Sequence, residues 1–332
     1  MGTLEERHRG GQEVSLRVLD LGAVEARRVE RLIRQEGVEW ENSLHWRRDH
    51  HVRTVSTLLR RRELAGLALV RGKDLVGKVF LGKQGPMRSI EFPYIRPSHR
   101  RSGLLELLLD AALSRALETA GTRRVEASFF LLGETDPGMV FLHRGFKALP
   151  RQYLVRSLEP ESLKRPRRMA ASRIELLDWV ASTAHLGGLL KAAYVDSDDS
   201  CAAEFYRTVS GCTSYLSTLV HGTECGEFQK SLSCLAREPE GAVVGLLLAT
   251  EISPWTAHVA QLAVHPSCRG KGIGTRLLDR FHGRSLKAGY RYTSLLVSRS
   301  NPAREWYLRA GYGAKSTFLS YWWAQPGRSP SR

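Results

Sequence analysis

No window of the sequence approaches the ~18 consecutive apolar residues that a membrane-spanning helix needs, so no membrane association is expected. The opening Met1-Gly2-Thr3-Leu4-Glu5-Glu6-Arg7-His8-Arg9 carries acids and lacks an apolar core, which is not how a secretory signal reads. Glu6 also stands where a myristoylation motif takes Ser or Thr. The expected location is the cytoplasm. Cysteine is scarce: Cys201, Cys212, Cys225, Cys234 and Cys268 form an odd set without a Cys-x-x-Cys pair or a histidine at zinc-ligand spacing. Free thiols are therefore expected, with neither a disulfide framework nor a structural metal. His45, His50 and His51 likewise fit no common metal spacing and read as a solvated helix face. The net charge of +16 is spread through both halves, and the basic residues are not interleaved with aromatics as single-strand binders require, so nucleic acid is not an expected partner.

What is present is length enough for two cores, 332 residues. Residues 158–168 hold Pro160, Pro166 and a charge run without apolar periodicity, the composition of a surface linker. The expected organisation is a first domain at 1–158, a linker at 159–170 and a second domain at 171–332. Each half repeats one order of elements. In the first, strands are expected at 14–20, 64–70, 74–81, 89–95, 124–131 and 146–158, with helices at 23–34, 51–61, 103–117 and 139–144. In the second, strands are expected at 172–177, 231–236, 242–249, 257–264, 292–297 and 313–321, with helices at 179–193, 202–209, 272–286 and 303–309. The fold class is α/β twice over, a mixed, mostly antiparallel sheet flanked by helices in each half.

The chemistry-bearing segment begins where strand Leu262-Ala263-Val264 ends at His265-Pro266. The chain then enters Arg269-Gly270-Lys271-Gly272-Ile273-Gly274-Thr275 ahead of an apolar helix. A glycine-rich turn opening a helix aims backbone N–H groups and the positive end of the helix dipole at one spot, which suits a pyrophosphate. The Walker pattern is absent, and Gly270-x-Gly272-x-Gly274 has the wrong spacing for a dinucleotide fold. Downstream lies Ser300-Asn301-Pro302-Ala303-Arg304-Glu305-Trp306-Tyr307, followed by Gly311-Tyr312. In this order the two segments resemble the coenzyme A loop and the Asn-x-x-Ala-x-x-x-Tyr segment of the GNAT acetyltransferases, with Asn301 one residue late.

That resemblance implies an acetyl-CoA-dependent N-acetyltransferase acting on a small-molecule or peptide primary amine in a ternary complex. It implies that backbone groups of Leu262, Ala263 and Val264 hold pantetheine and the acetyl carbonyl, and that Arg269 to Thr275 hold the pyrophosphate. Asn301 would contact the pantetheine arm, and Tyr307 would protonate the departing thiolate. Glu251 and His258 are the candidates for the base, and no metal is implied. The first half echoes the signatures in Arg96-Pro97-Ser98-His99-Arg100-Arg101-Ser102-Gly103-Leu104-Leu105 and in Asp136 to Phe146, but Leu105 replaces a glycine and Phe141 stands where Tyr307 does. It reads as a degenerate GNAT-like domain. Two alternatives stay open: a protein N-terminal acetyltransferase resembling those of ribosomal proteins, against which stand Leu296 and Ser298, and a non-catalytic acyl-CoA-binding scaffold. A homodimer is compatible with all of these.

Overall fold

The computed structural model describes residues 3–6, 14–159, 173–179, 183–223 and 225–325. The linker expected at 159–170 and the start of the strand expected at 172 fall on or beside residues 160–172, outside the described residues. By contact the chain divides into two compact units: one of residues 1–43, 48–150 and 317–332, the other of residues 44–47 and 151–316. The units therefore do not divide simply at the linker.

Unit 1 is built from β1 (Thr3–Glu6), β2 (Val14–Asp20), α1 (Ala26–Leu44), α2 (Asp49–Arg61), β3 (Gly66–Arg71), β4 (Asp74–Gln84), β5 (Met87–Ile95), α3 (Leu104–Glu118), β6 (Arg124–Phe130) and α4 (Gly138–Leu142). β7 (Lys147–Ser157) starts there and passes into unit 2. Unit 2 then adds β8 (Glu175–Asp178), α5 (Gly187–Tyr194), α6 (Asp198–Ala202), α7 (Val209–His221), β9 (Glu227–Phe228), β10 (Cys234–Arg237), β11 (Val243–Ser253), β12 (Thr256–Val264), α8 (Ile273–Lys287), β13 (Tyr292–Ser298) and α9 (Ala303–Arg309). β14 (Gly313–Ala324) begins in unit 2 and ends in unit 1. In unit 1 the strand order is β1-β2-β3-β4-β5-β6-β14, and in unit 2 it is β7-β13-β12-β11-β10-β8, with β9 on β11. Each unit is thus completed by the last strand of the other half of the chain.

Period-two alternation assigns the faces. In β3, Leu67 and Leu69 join a core with Leu105, Leu108, Leu109 and Leu113 of α3. Ala68 and Val70 point the other way, to Val29, Leu32 and Ile33 of α1 and Leu59 of α2. In unit 2, Leu247 and Ala249 of β11 pack with Ile273, Leu277 and Phe281 of α8. Leu246 and Leu248 pack with Leu189 and Leu190 of α5 and with Cys212 and Leu216 of α7. Both sheets are antiparallel save for one parallel pair each, β5 with β6 and β12 with β13. The expected mixed α/β fold is what forms.

Local departures have local causes. The helix expected at 202–209 starts instead at Val209, because the Thr208 hydroxyl accepts from the Gly211 N–H at 2.9 Å and caps α7 there. Gly187 lets α5 and α7 touch, since a Cβ on it would lie 2.1 Å from Thr213 Oγ1 and 2.7 Å from the Val209 carbonyl. Among the described residues no helix is long and apolar enough to cross a membrane, and no group of three His, Cys, Asp or Glu side chains is placed to hold a metal.

Candidate active site

In unit 2 the ladder joining β12 to β13 runs from the Thr256–Tyr292 pair to the Val259–Leu295 pair and stops. The reason lies on the other edge of β12. Leu248 pairs with Gln261 and Ala249 with Val259, so Ala260 is an extra residue without a partner on β11, and the bulge bends β12 away from its parallel neighbour. Residues 260–264 and 296–298 are left as facing edges of an open V, and the second of these is anchored behind by pairing with β7. Leu262, Ala263 and Val264, singled out in the sequence, lie on that open edge.

The glycine-rich turn closes one end of the V. Gly270 and Gly272 adopt φ of 75° and 76°, left-handed values that cost a side-chain-bearing residue about 1–2 kcal/mol. A Cβ on Gly270 would meet nothing within 4 Å, so the requirement there is conformational and not steric. Gly272 is the N-cap of α8, and no side chain caps that helix. Its first-turn amides, which include those of Ile273, Gly274 and Thr275, have no carbonyl behind them to bond within the helix. Arg269 turns aside to donate to the Ala193 carbonyl at 2.6 Å, while Lys271 is exposed beside the turn. The arrangement is an electropositive, unsatisfied donor set, the property that an anionic diphosphate needs.

α9 is packed against the same turn: a Cβ on Gly274 would sit 3.6 Å from the Trp306 ring. The next residue, Tyr307, is buried with its ring 4.7 Å from Trp306 and 5.9 Å from Tyr312. Burial, and then the neighbouring Tyr194 and Tyr312, push its pKa well above the usual phenol value, so the hydroxyl is a fixed proton donor at neutral pH. Asn301 uses its side-chain carbonyl to accept from the Ala303 N–H at 2.9 Å, which fixes the turn leading into α9.

The two base candidates do not join this group. Glu251 pairs with Ala257 and accepts a hydrogen bond from the Tyr290 hydroxyl. Its partner Ala257 lies four residues, about 13 Å of strand, before Gln261, at the end where the ladder is closed. His258 is 3% exposed, precedes the opening, and places Nδ1 2.9 Å from Ser294 Oγ with its ring packed on Trp46 and Tyr153. Burial lowers its pKa to about 3, so the ring is neutral but a poor proton acceptor.

A second set of side chains, not singled out in the sequence, gathers on the opposite face from α8. Gln261, on the open edge, donates to the Tyr194 hydroxyl at 2.7 Å and accepts from Tyr206 at 3.3 Å. Ser298, at the end of the other wall, donates to Asp199 at 2.7 Å, and Arg151 lies 3.3 Å from the same carboxylate oxygen. These residues come from β12, α5, β13, α6, β7 and the turn Glu204–Arg207, with no shared period that sequence inspection could find.

Unit 1 repeats the backbone devices. Its β5–β6 ladder stops at Glu91–Ser128, β5 bulges where Lys78 pairs with Tyr94 and Phe80 with Glu91, and Gly103 caps α3 at φ 76°. The occupants differ. The Arg101 N–H is taken by Glu134 Oε2 at 3.1 Å, and Arg100 grips the Glu39 carboxylate, with 2.7 Å between Nη2 and Oε2. Tyr94, Arg100, Phe130 and Glu134 help line a cleft of about 250 Å³.

With this geometry in hand, the likenesses to known proteins fall into place. The acetyltransferase (GNAT) family matches residues 202–312. An uncharacterized N-acetyltransferase of Methanocaldococcus jannaschii is 38% identical over 88 residues, which are 26% of this chain and 55% of that protein. The chain thus spans about half the length of that curated relative. A GCN5-related N-acetyltransferase from Sphaerobacter thermophilus shares the fold at a TM-score of 0.64 and 18% identity, covering 94% of this chain and 98% of that one. A tandem GNAT protein from the clavulanic acid biosynthesis pathway does so at 0.55 and 15%, over 94% and 100%. Residues 202–312 thus match the GNAT family, and the fold of the chain is that of two GNAT-like units.

Proposed function

We propose that unit 2 transfers an acetyl group from acetyl-CoA to a primary amine and that unit 1 is a non-catalytic companion. The observation that carries this is the coincidence, in unit 2, of three features: an opened strand pair, an uncapped α8 N-terminus at its mouth, and a buried tyrosine beside that turn. When bound, acetyl-CoA supplies the activated thioester. The residues of the chain do the rest. The α8 amides of Ile273, Gly274 and Thr275 hold the diphosphate, with Lys271 adding charge. Along the open edge of β12 at Leu262, Ala263 and Val264, the N–H groups of Leu262 and Val264 face away from β11 and are offered to pantetheine and to the acyl carbonyl, where they stabilise the oxygen as it becomes negative. Asn301 closes the opposite side.

The amine nitrogen bonds to the acyl carbon, the carbon–sulfur bond breaks, and the Tyr307 hydroxyl donates a hydrogen bond to the departing sulfur. Because burial raises the Tyr307 pKa above that of a thiol, full transfer from the phenol runs uphill. Its role is therefore donation, with solvent completing the protonation. The proton lost by nitrogen goes to water, since Glu251 and His258 lie off the open edge.

Unit 1 supports the second part of the reading. Glu134 already satisfies one of its loop amides, and Glu39 holds Arg100 of the same loop. Isothermal titration of acetyl-CoA into the whole chain should give one site, abolished by Gly272→Glu with Gly274→Glu, and a thiol-release assay against an amine panel should then detect turnover. Absence of binding to the unaltered chain would remove the proposal.

A further inference from the structure

Resting on that reading, we infer that the acceptor is a small amine bearing its own anionic group, of the amino-acid kind, with its ammonium on Asp199 and its anion on Arg151. The acyl carbonyl must lie in the V, and α8 with its turn covers one face of it, so the nucleophile approaches from the face of α5. There the side chains of both walls converge on one segment: Gln261 of β12 reaches Tyr194 and Tyr206, and Ser298 of β13 reaches Asp199.

Asp199 is 8% exposed. A carboxylate is not buried without compensation, and the partners here are half a set: Ser298 and Arg151 both address Oδ1. Arg151 is similarly incomplete, because its Nε is buried and has no hydrogen-bond partner among the described residues. A buried guanidinium N–H left unpaired costs on the order of 1–3 kcal/mol. A carboxylate with a spare oxygen and a guanidinium with a spare donor, joined at 3.3 Å through Oδ1 and Nη2, present opposite charges side by side, as the two ends of a zwitterion require. The ring of Tyr194 lies flat on that of Tyr206 at 4.1 Å and walls the site with apolar surface. A plain diamine would bring a second cation to Arg151, and a peptide N-terminus would bring a neutral amide where the anion is called for.

The test pairs acceptors that differ only in the anion: L-amino acids and the monoamines that lack their carboxylate, assayed by thiol release with the intact chain. The unaltered protein should favour the amino acid by about tenfold or more in kcat/KM. Arg151→Gln should bring the ratio of the two toward one. Asp199→Asn should lower both by about 30-fold or more, chiefly through KM. Ser298→Ala keeps the carboxylate but frees one oxygen, and serves as a milder probe if Asp199→Asn does not fold; it should raise KM more than it lowers kcat. Equal or better turnover of the plain amines, or an Arg151→Gln protein that loses both acceptors in proportion, would overturn the inference. If acetyl-CoA fails to bind the unaltered protein, the acetyltransferase reading falls as well; if it binds and amines are acetylated without regard to the anion, only the acceptor assignment falls.

Discussion

Lowering the pH from 7 to 5 should destabilise unit 2 by about 4 kcal/mol through two buried histidines. His258 is held at a pKa of about 3 by burial, and His282 at about 3 by burial and then by Arg156. His282 is locked as one tautomer. The Arg156 guanidinium can only donate, so Nδ1 accepts at 3.0 Å and Nε2 carries the hydrogen toward the Tyr312 hydroxyl at 2.9 Å. Both folded values lie below the unfolded value of 6.5, so the unfolded chain takes up protons first. Stability is lost as pH falls through the window from about 6.5 toward 3. At pH 5 each histidine costs about 2 kcal/mol, against about 0.2 at pH 7. Because pH 5 is still above the folded values, this figure depends on the unfolded pKa and hardly on the folded one. Denaturant midpoints at pH 7, 6 and 5, for the unaltered chain and for His258→Asn and His282→Asn, isolate each share. Each variant should remove about 2 kcal/mol of the pH dependence. A variant with an unchanged pH slope would show that its histidine is not buried and neutral. For His258 that result would reopen the case for it as a base; otherwise, pH–rate profiles should show no step from it near 6.5.

Tyr307→Phe should lower kcat by about 100-fold with little change in acetyl-CoA affinity, as measured by single-turnover kinetics and titration. Unchanged turnover would remove the donor role. Gly272→Ala should cost about 1 kcal/mol from the left-handed φ of 76° and weaken acetyl-CoA binding, with Gly272→Asn less affected, as thermal melts and calorimetry would show. Equal stability in all three proteins would contradict the assigned conformation. A fragment of residues 171–332 lacks Arg151 to Ser157, which pair with all seven residues of β13, so it should aggregate or melt without cooperativity by circular dichroism. A soluble, cooperatively folding fragment would show that the ladder is dispensable.

The parts of this protein legible in sequence are those whose physics is contiguous. The glycine-rich turn could be read because Arg269 to Thr275 lie in one stretch, with Gly270 and Gly272 where φ is positive, and strands β3 and β11 could be read because their apolar pattern is local. Where Glu251 and His258 lie relative to the opening was not legible. Glu251 and His258 were reasonable candidates on strand position, but a one-residue bulge at Ala260 decides where the sheet opens, and both precede it. Asp199, Arg151, Ser298 and Gln261 were illegible for another reason: they meet only through tertiary packing of separate elements. The exchange of β7 and β14 between units was likewise hidden, since each strand has the same composition whichever sheet it completes.

The two units also show why a worn signature can leave a fold intact. Bulge, parted ladder and left-handed glycine at a helix N-cap are backbone properties, and unit 1 keeps all three. What an unsatisfied helix N-terminus needs is negative charge, and it is indifferent to the source. In unit 1 the chain supplies that charge itself through Glu134 on the Arg101 N–H, while Glu39 neutralises Arg100. A diphosphate arriving there would have to displace one carboxylate and face the other. Neither α3 nor α8 has a side-chain cap, but in unit 2 no carboxylate accepts from a turn amide among the described residues, so those donors stand open. The divergence between the halves therefore lies in a few acidic side chains, and the same electrostatic demand that stands open at one turn is met internally at the other.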